Sequence, residues 1–358
     1  YHGSSFASRG VVVVAINYRL GSFGFLGEDN FGVLDMISAL QWVNRNIAAF
    51  DGDANNVTIF GESAGGSAVV SLMSSPDTNG LFHKAWAMSP SIGQLRSKER
   101  ALQAEQMFLQ HAGVSSRNDL QSLTIAEMLD VQAKLEAIPT DNFDFFTPAG
   151  GGRSLPHDIV TTAAQSPVPF VIGTNRDENR LWAALDPAQN QLGEEHWNDL
   201  CQQTFGEHAL RAKNIYEQTR PEESPWQLIS SIRTDTAFRQ RAQRISEQRV
   251  QANNKTWMYW FTWPTPVLDG IVGSCHGLDI PFAFDNLSLP RTDDLTGDGA
   301  ERAGIATRFA DEIAQFAKSS APSWPAFDLA DRSTLEINAE IAVLNDPEKE
   351  IREIYLSL

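Results

Sequence analysis

Three side-chain types that together could perform acyl transfer occur along this chain in one order. A serine sits in Gly61-Glu62-Ser63-Ala64-Gly65, adjacent acids in Gly173-Thr174-Asn175-Arg176-Asp177-Glu178, and a histidine in Gly273-Ser274-Cys275-His276-Gly277. A serine hydroxyl is a poor nucleophile near neutral pH. It needs a base, and the base needs an acid to orient it. Serine, then acid, then histidine is one of the chain orders in which such triads occur. Ser63 follows the apolar run Val57-Thr58-Ile59-Phe60, and the small residues Ala64, Gly65, Gly66 and Ser67 then open a helix-like stretch. That context predicts a sharp strand-to-helix turn with the hydroxyl exposed at a sheet edge. Glycines 61 and 65 are expected where a side chain would collide with the neighbouring strand or helix.

The acid follows the strand-like Val168–Ile172, at the carboxyl end of a strand, where a parallel sheet presents its chemistry. Asp177 and Glu178 are both candidates from position alone. Among the histidines, His2 precedes the serine, His83 closely follows it, and His157 precedes the acids, whereas His111, His196 and His208 lie in polar helical stretches. His276, between glycines after the apolar run Trp257–Phe261, is the expected base. Cys275 beside it has no elbow around it and reads as a small packing residue, not a thiol nucleophile.

These residues need a scaffold. Val11–Ile16 is continuously apolar and predicts a strand covered on both faces. Met36, Leu40, Val43 and Ile47 recur at spacings of four, three and four, as on an amphipathic helix. Strands are expected at 57–60, at Ala85–Met88 and at 257–261, with helices between them. Strands alternating with helices give an α/β class with a mostly parallel central sheet and helices on both faces. Residues from about 97 to 140 and 184 to 252 are polar and helix-rich, and read as insertions. No Pro/Gly/Ser linker divides the chain, and the triad spans 63 to 276, so residues 1–358 are expected to form one domain.

The 358 residues carry 28 Lys and Arg against 45 Asp and Glu, a formal net charge of −17. Phosphate neutralisation needs a basic patch, so nucleic acid is excluded as a partner. The acid excess is read as a solubility feature. No apolar run approaches the ~18 residues needed to span a bilayer. Cys201 and Cys275 are the only cysteines, too few for a disulfide framework, and this favours a cytoplasmic location. Gly150–Gly152 is too short to cradle a phosphate, and no cluster has metal-ligand spacing. No cofactor or metal is expected, and a monomer is the expected state.

The sequence resembles the type-B carboxylesterases, the group that includes bacterial para-nitrobenzyl esterases and the cholinesterases. The matching segments are Asn17–Gly21, Asn30–Asp35, Asn55–Gly66, Gly80–Ala85, Gly173–Glu178, Cys275–Phe282, Trp324–Phe327 and Asn345–Pro347. They match densely over the first hundred residues and sparsely in the middle. The resemblance implies an α/β-hydrolase fold whose helical insertions flank a gorge over the active site. It implies hydrolysis of a small-molecule ester through an acyl-enzyme, with Ser63 as nucleophile, His276 as base and Glu178, not Asp177, as acid. It also implies an oxyanion donor at the backbone N–H of Ala64 and a substrate pocket involving Glu62, Phe145 and Phe146. A non-catalytic, neuroligin-like binding protein and an amide or lactone hydrolase are the alternatives on the same fold; the filled triad speaks against the former.

Three departures accompany the resemblance, one being that Ser67 precedes Ala68 where the family often has Ala then Ser after the elbow's double glycine. The family's His-Gly-Gly-Gly loop, which supplies further oxyanion donors, has no counterpart here: His2-Gly3 is followed by Ser4-Ser5. A copy lacking the family's N-terminal strands and glycine loop is therefore expected, with little activity of its own. At Gly151 the family usually has an acid, and a triple glycine is expected to loosen that stretch.

Overall fold

The computed structural model describes residues 2–138 and 145–357. Six strands make the main sheet: β1 (Thr58–Glu62), β2 (Lys84–Met88), β3 (Phe170–Asn175), β4 (Thr256–Phe261), β5 (Thr334–Ile337) and β6 (Ala342–Leu344). They lie side by side in chain order. The first five are parallel, with Thr58 opposite Lys84, Ala85 opposite Phe170, Phe170 opposite Thr256 and Met258 opposite Thr334. β6 turns back antiparallel on β5.

The central strands read as unbroken apolar runs because both faces are covered. Their side chains nonetheless divide by the two-residue period of a strand. Ala85 and Ala87, Phe170 and Ile172, and Met258 face one core with Val33, Met36, Val69 and Val70. Trp86 and Met88, Val171, Tyr259 and Phe261 face the other with Phe309, Ala310, Ile313 and Phe316. The first core is closed by helices Phe31–Asn46, Ala64–Ser74, Ile159–Gln165 and Gln240–Gln251, and the second chiefly by Arg302–Ser319. Trp86 anchors the second core, edge-on to Phe316 at 5.6 Å and to Trp324 at 6.1 Å. Burial of an aromatic ring of this size is the main source of stabilisation at such a site.

The expected insertions form helical layers with cores of their own. Helices Lys98–Ala112 and Ile125–Glu136 bury Phe108, Met128, Val131 and Leu135 against Leu26. Helices Glu194–Phe205, Ala209–Thr219 and Pro225–Thr234 bury Trp197, Phe205, Tyr216 and Ile229 against Ile351 and Ile354 of the C-terminal helix Lys349–Leu356. No described helix is long and apolar enough to cross a membrane.

The expected strand at Val11–Ile16 is not found: among the described residues this run enters no ladder. Val11 and Val13 pack on the core, but Val12, Val14 and Ile16 are 46%, 40% and 41% exposed. A valine-rich run reports a preference for burial, and a strand also needs a neighbour to share its hydrogen bonds. Here one face is only half-buried, at Val11 and Val13, and the other is exposed.

Candidate active site

The turn between β1 and helix Ala64–Ser74 holds Ser63 at φ 57°, ψ −116°. A non-glycine residue there is strained by about 1–3 kcal/mol and persists only where its surroundings enforce it. The enforcement comes from β2: the Ser63 N–H donates to the Met88 carbonyl at 2.9 Å. Helix and strand can approach this closely because side chains are missing at two places. A Cβ on Gly61 would lie 2.5 Å from the Gly65 carbonyl group, and one on Gly66 would lie 2.8 Å from the Met88 carbonyl oxygen. The expectation that Gly65 is sterically required is corrected: a Cβ there meets nothing within 4 Å, and Gly66 is the close-packed position instead. Ala64 is the first residue of the helix, so its N–H has no partner within the helix and points with the positive end of the helix dipole.

The adjacent acids separate by partner. Asp177 accepts the Ser274 N–H at 2.8 Å and pairs with Arg176 and Arg180, each at 3.0 Å. Burial would push its carboxyl up, but the two guanidinium groups more than offset this and hold it below the usual range. Glu178, fully buried, accepts the Asn175 N–H at 2.7 Å on Oε1 and meets Nδ1 of His276 at 2.6 Å on Oε2. His276 is fixed further by its own N–H, which donates to the Glu178 carbonyl at 3.3 Å. The elbow, the acid and the histidine follow β1, β3 and β4 respectively, so all three gather at the carboxyl edge of one parallel sheet.

The other face of the imidazole was not legible in the sequence. Nε2 lies 3.2 Å from Oε1 of Glu62, the residue before the serine. The nearest hydrogen-bond partner of the Ser63 hydroxyl is the Ser91 hydroxyl, at 3.3 Å. Asp279, three residues after His276, is buried with Tyr259 Oη at 3.1 Å and Asn175 Nδ2 at 3.4 Å. Glu62, Glu178 and Asp279 thus surround one imidazole. Burial opposes its charge, but Glu178 first, then Glu62 and Asp279, push its pKa up to about 9. Burial pushes Glu62 up to about 8 and Asp279 up to about 6. Two rings close on the imidazole: Trp182 at 4.9 Å and Phe238 at 5.1 Å between centroids. These contacts join positions far apart in the chain, and only Glu62 and Asp279 carried a hint, by lying next to Ser63 and one helical turn from His276.

Phe146 packs edge-on to Phe108 of the helical layer at 6.0 Å and also against the first core, and its ring lies 6.3 Å from that of Phe145. The glycine stretch is enclosed, not loose, since a Cβ on Gly152 would lie 2.3 Å from the Glu28 carbonyl oxygen. Burial pushes the Cys275 thiol up to about 12, which leaves it protonated and unreactive. No group of His, Cys, Asp or Glu among the described residues could hold a metal ion.

This geometry is that of a hydrolase built on a parallel α/β sheet, and the comparisons agree. The model of the carboxylesterase family matches residues 1–352. The para-nitrobenzyl esterase of Bacillus subtilis is 34% identical over 389 residues, an alignment that covers 99% of this chain and 74% of that protein. Phenmedipham hydrolase of Pseudarthrobacter oxydans is 28% identical, over 95% of this chain and 72% of its own length. The crystal structure of a Geobacillus stearothermophilus carboxylesterase superposes with a TM-score of 0.87 at 33% identity, over 99% of this chain and 78% of that one. The chain belongs to the carboxylesterase family. It has the α/β-hydrolase fold and is a carboxylic ester hydrolase.

Proposed function

We propose that Ser63, His276 and Glu178 form a catalytic triad that hydrolyses small-molecule carboxylic esters through an acyl-enzyme, and that the chain works as one domain. The observation that carries this reading is the 2.6 Å contact between Glu178 Oε2 and His276 Nδ1 at the same sheet edge as the strained Ser63. A buried carboxylate on Nδ1 fixes the tautomer that leaves Nε2 free to accept a proton. Catalytic hydrogen bonds in an unliganded site are often long and tighten only with substrate. In the resting arrangement Nε2 addresses Glu62 and the Ser63 hydroxyl addresses Ser91. Productive binding requires both contacts to be exchanged for the Ser63–His276 hydrogen bond.

The chemistry then proceeds in two halves. As the bond from Ser63 Oγ to the ester carbonyl carbon forms, the hydroxyl proton passes to Nε2, and the carbonyl oxygen becomes an oxyanion facing the Ala64 N–H. When the ester C–O bond breaks, that proton passes from Nε2 to the leaving alcohol. Water repeats the sequence, releasing the acid and restoring Ser63. Glu178 stabilises the transient imidazolium across the Nδ1 contact. Pre-steady-state kinetics on p-nitrophenyl acetate test the scheme. A burst of p-nitrophenol stoichiometric with protein, absent in Ser63→Ala, is expected. Turnover that survives in Ser63→Ala would remove the assignment.

A further inference from the structure

One feature near His276 has no part in this scheme. Between the helices Pro225–Thr234 and Gln240–Gln251 lies a π-helical turn, Asp235–Arg239, whose carbonyl at Asp235 accepts the N–H of Gln240. Such a turn widens the helix by one residue and costs backbone energy, and it is usually found at functional sites. This one places Phe238 with its ring centroid 5.1 Å from that of His276, inclined by 43°.

The turn is fixed on several sides. Asp235, fully buried, accepts the Tyr216 hydroxyl proton at 2.6 Å. The Arg239 guanidinium lies 4.2 Å over the Trp260 ring, so it is held against β4. Tyr355 of the C-terminal helix reaches Thr236 Oγ1 at 3.0 Å. Thr234, at the junction, accepts the Asn179 N–H at 3.0 Å, one residue beyond Glu178. The segment that carries Phe238 is thus tied to the loop that carries the acid. A wholly exposed loop could not hold a ring to this tolerance. Here an acid and a guanidinium are buried on either side of it, at a desolvation cost that demands a compensating gain.

We propose that the π-turn Asp235–Arg239 is a positioning element for the His276 imidazole, with Phe238 as its point of contact. The ring limits imidazole rotation and keeps water from the Glu178–His276 hydrogen bond, so that Nε2 has one path, between Glu62 and Ser63. The inference rests on His276 acting as the general base.

The test compares the full chain with Phe238→Leu, which keeps apolar bulk, and Phe238→Tyr, which restores a ring. Two readouts are taken. On p-nitrophenyl acetate, Phe238→Leu is expected to lower kcat by about tenfold or more with KM nearly unchanged, on the scale of a misplaced catalytic group, and Phe238→Tyr to recover most of the loss. By NMR of histidine-labelled protein, the proton on His276 Nδ1, assigned by its absence in His276→Gln, is expected to be sharp and far downfield in wild type and Phe238→Tyr. In Phe238→Leu it should broaden. A Phe238→Leu protein with wild-type kcat and an unchanged resonance overturns the proposal. So does one whose KM alone changes, since Phe238 would then be a pocket wall. The resonance reports ring order whether or not Ser63 is the nucleophile. Loss of the burst in wild type would therefore count against the triad, while the resonance would still decide the role of Phe238.

Discussion

Nε2 of His276 rests 3.2 Å from Oε1 of Glu62, so the imidazole is held at both nitrogens by carboxyl groups, with Glu178 at 2.6 Å on Nδ1. The second contact has kinetic consequences in the proposed mechanism, where the same nitrogen accepts the Ser63 proton. Glu62 raises the affinity of His276 for a proton, and a protonated imidazole cannot act as base.

Glu62→Gln should therefore move the acid limb of the pH dependence of kcat/KM to lower pH, by roughly one unit. A pH-rate profile of both proteins checks this. An unmoved limb would mean that Glu62 does not communicate with the base.

Stability should fall as pH rises. His276 binds its proton more tightly in the folded chain, its pKa raised from 6.5 to about 9, and Glu62 does the same, raised from 4.5 to about 8. Both groups therefore add stability that is fully present below their unfolded values and is lost as pH passes through about 8 and 9. Thermal melts between neutral pH and above pH 9 should show Tm declining, and His276→Gln should flatten the decline. Equal slopes in the two proteins would contradict this.

The two neighbouring acids should fail differently. Glu178→Gln should fold normally and lose about 1,000-fold or more in kcat, the scale seen when a triad acid is neutralised. Asp177→Asn removes the buried carboxylate that Arg176 and Arg180 share, leaving Arg180 with Glu223, and breaking a buried pair of this kind costs about 3–5 kcal/mol. Its defect should appear mainly as a lowered Tm. Measuring kcat and Tm on both variants separates the roles, and an inactive but stable Asp177→Asn would reverse them.

Gly65→Ala should be tolerated, because a Cβ there meets nothing within 4 Å. Gly66→Ala should lower both soluble yield and Tm, since its Cβ would press on the Met88 carbonyl and Pro90. Equal melting temperatures for the two would show that helix and β2 can separate at no cost.

Much of this was legible in the sequence for physical reasons. β2, β3 and β4 are covered on both faces and so appear as unbroken apolar runs, and the elbow appears because close approach of helix to strand demands small residues. Val11–Ile16 misled because apolarity does not reveal whether a hydrogen-bonding neighbour exists. β6 lies in the apolar run Ile341–Leu344, which at four residues is too short to show a period, and its Ala342 and Val343 are exposed. Asp177 and Glu178 could not be told apart by position, since the arginines that claim Asp177 are known only from the fold. Trp182 and Phe238 were invisible for a related reason: their meeting at His276 is made by topology, and in the chain they look like ordinary core aromatics.

Whether Ser63 is the nucleophile is decided by covalent labelling. The folded protein would be treated with a fluorophosphonate and mapped by peptide mass spectrometry. One adduct is expected, on the peptide containing Ser63, that disappears in Ser63→Ala and is slowed in Glu178→Gln. An adduct on another residue, or none in protein shown to be folded by circular dichroism, would contradict the assignment of Ser63.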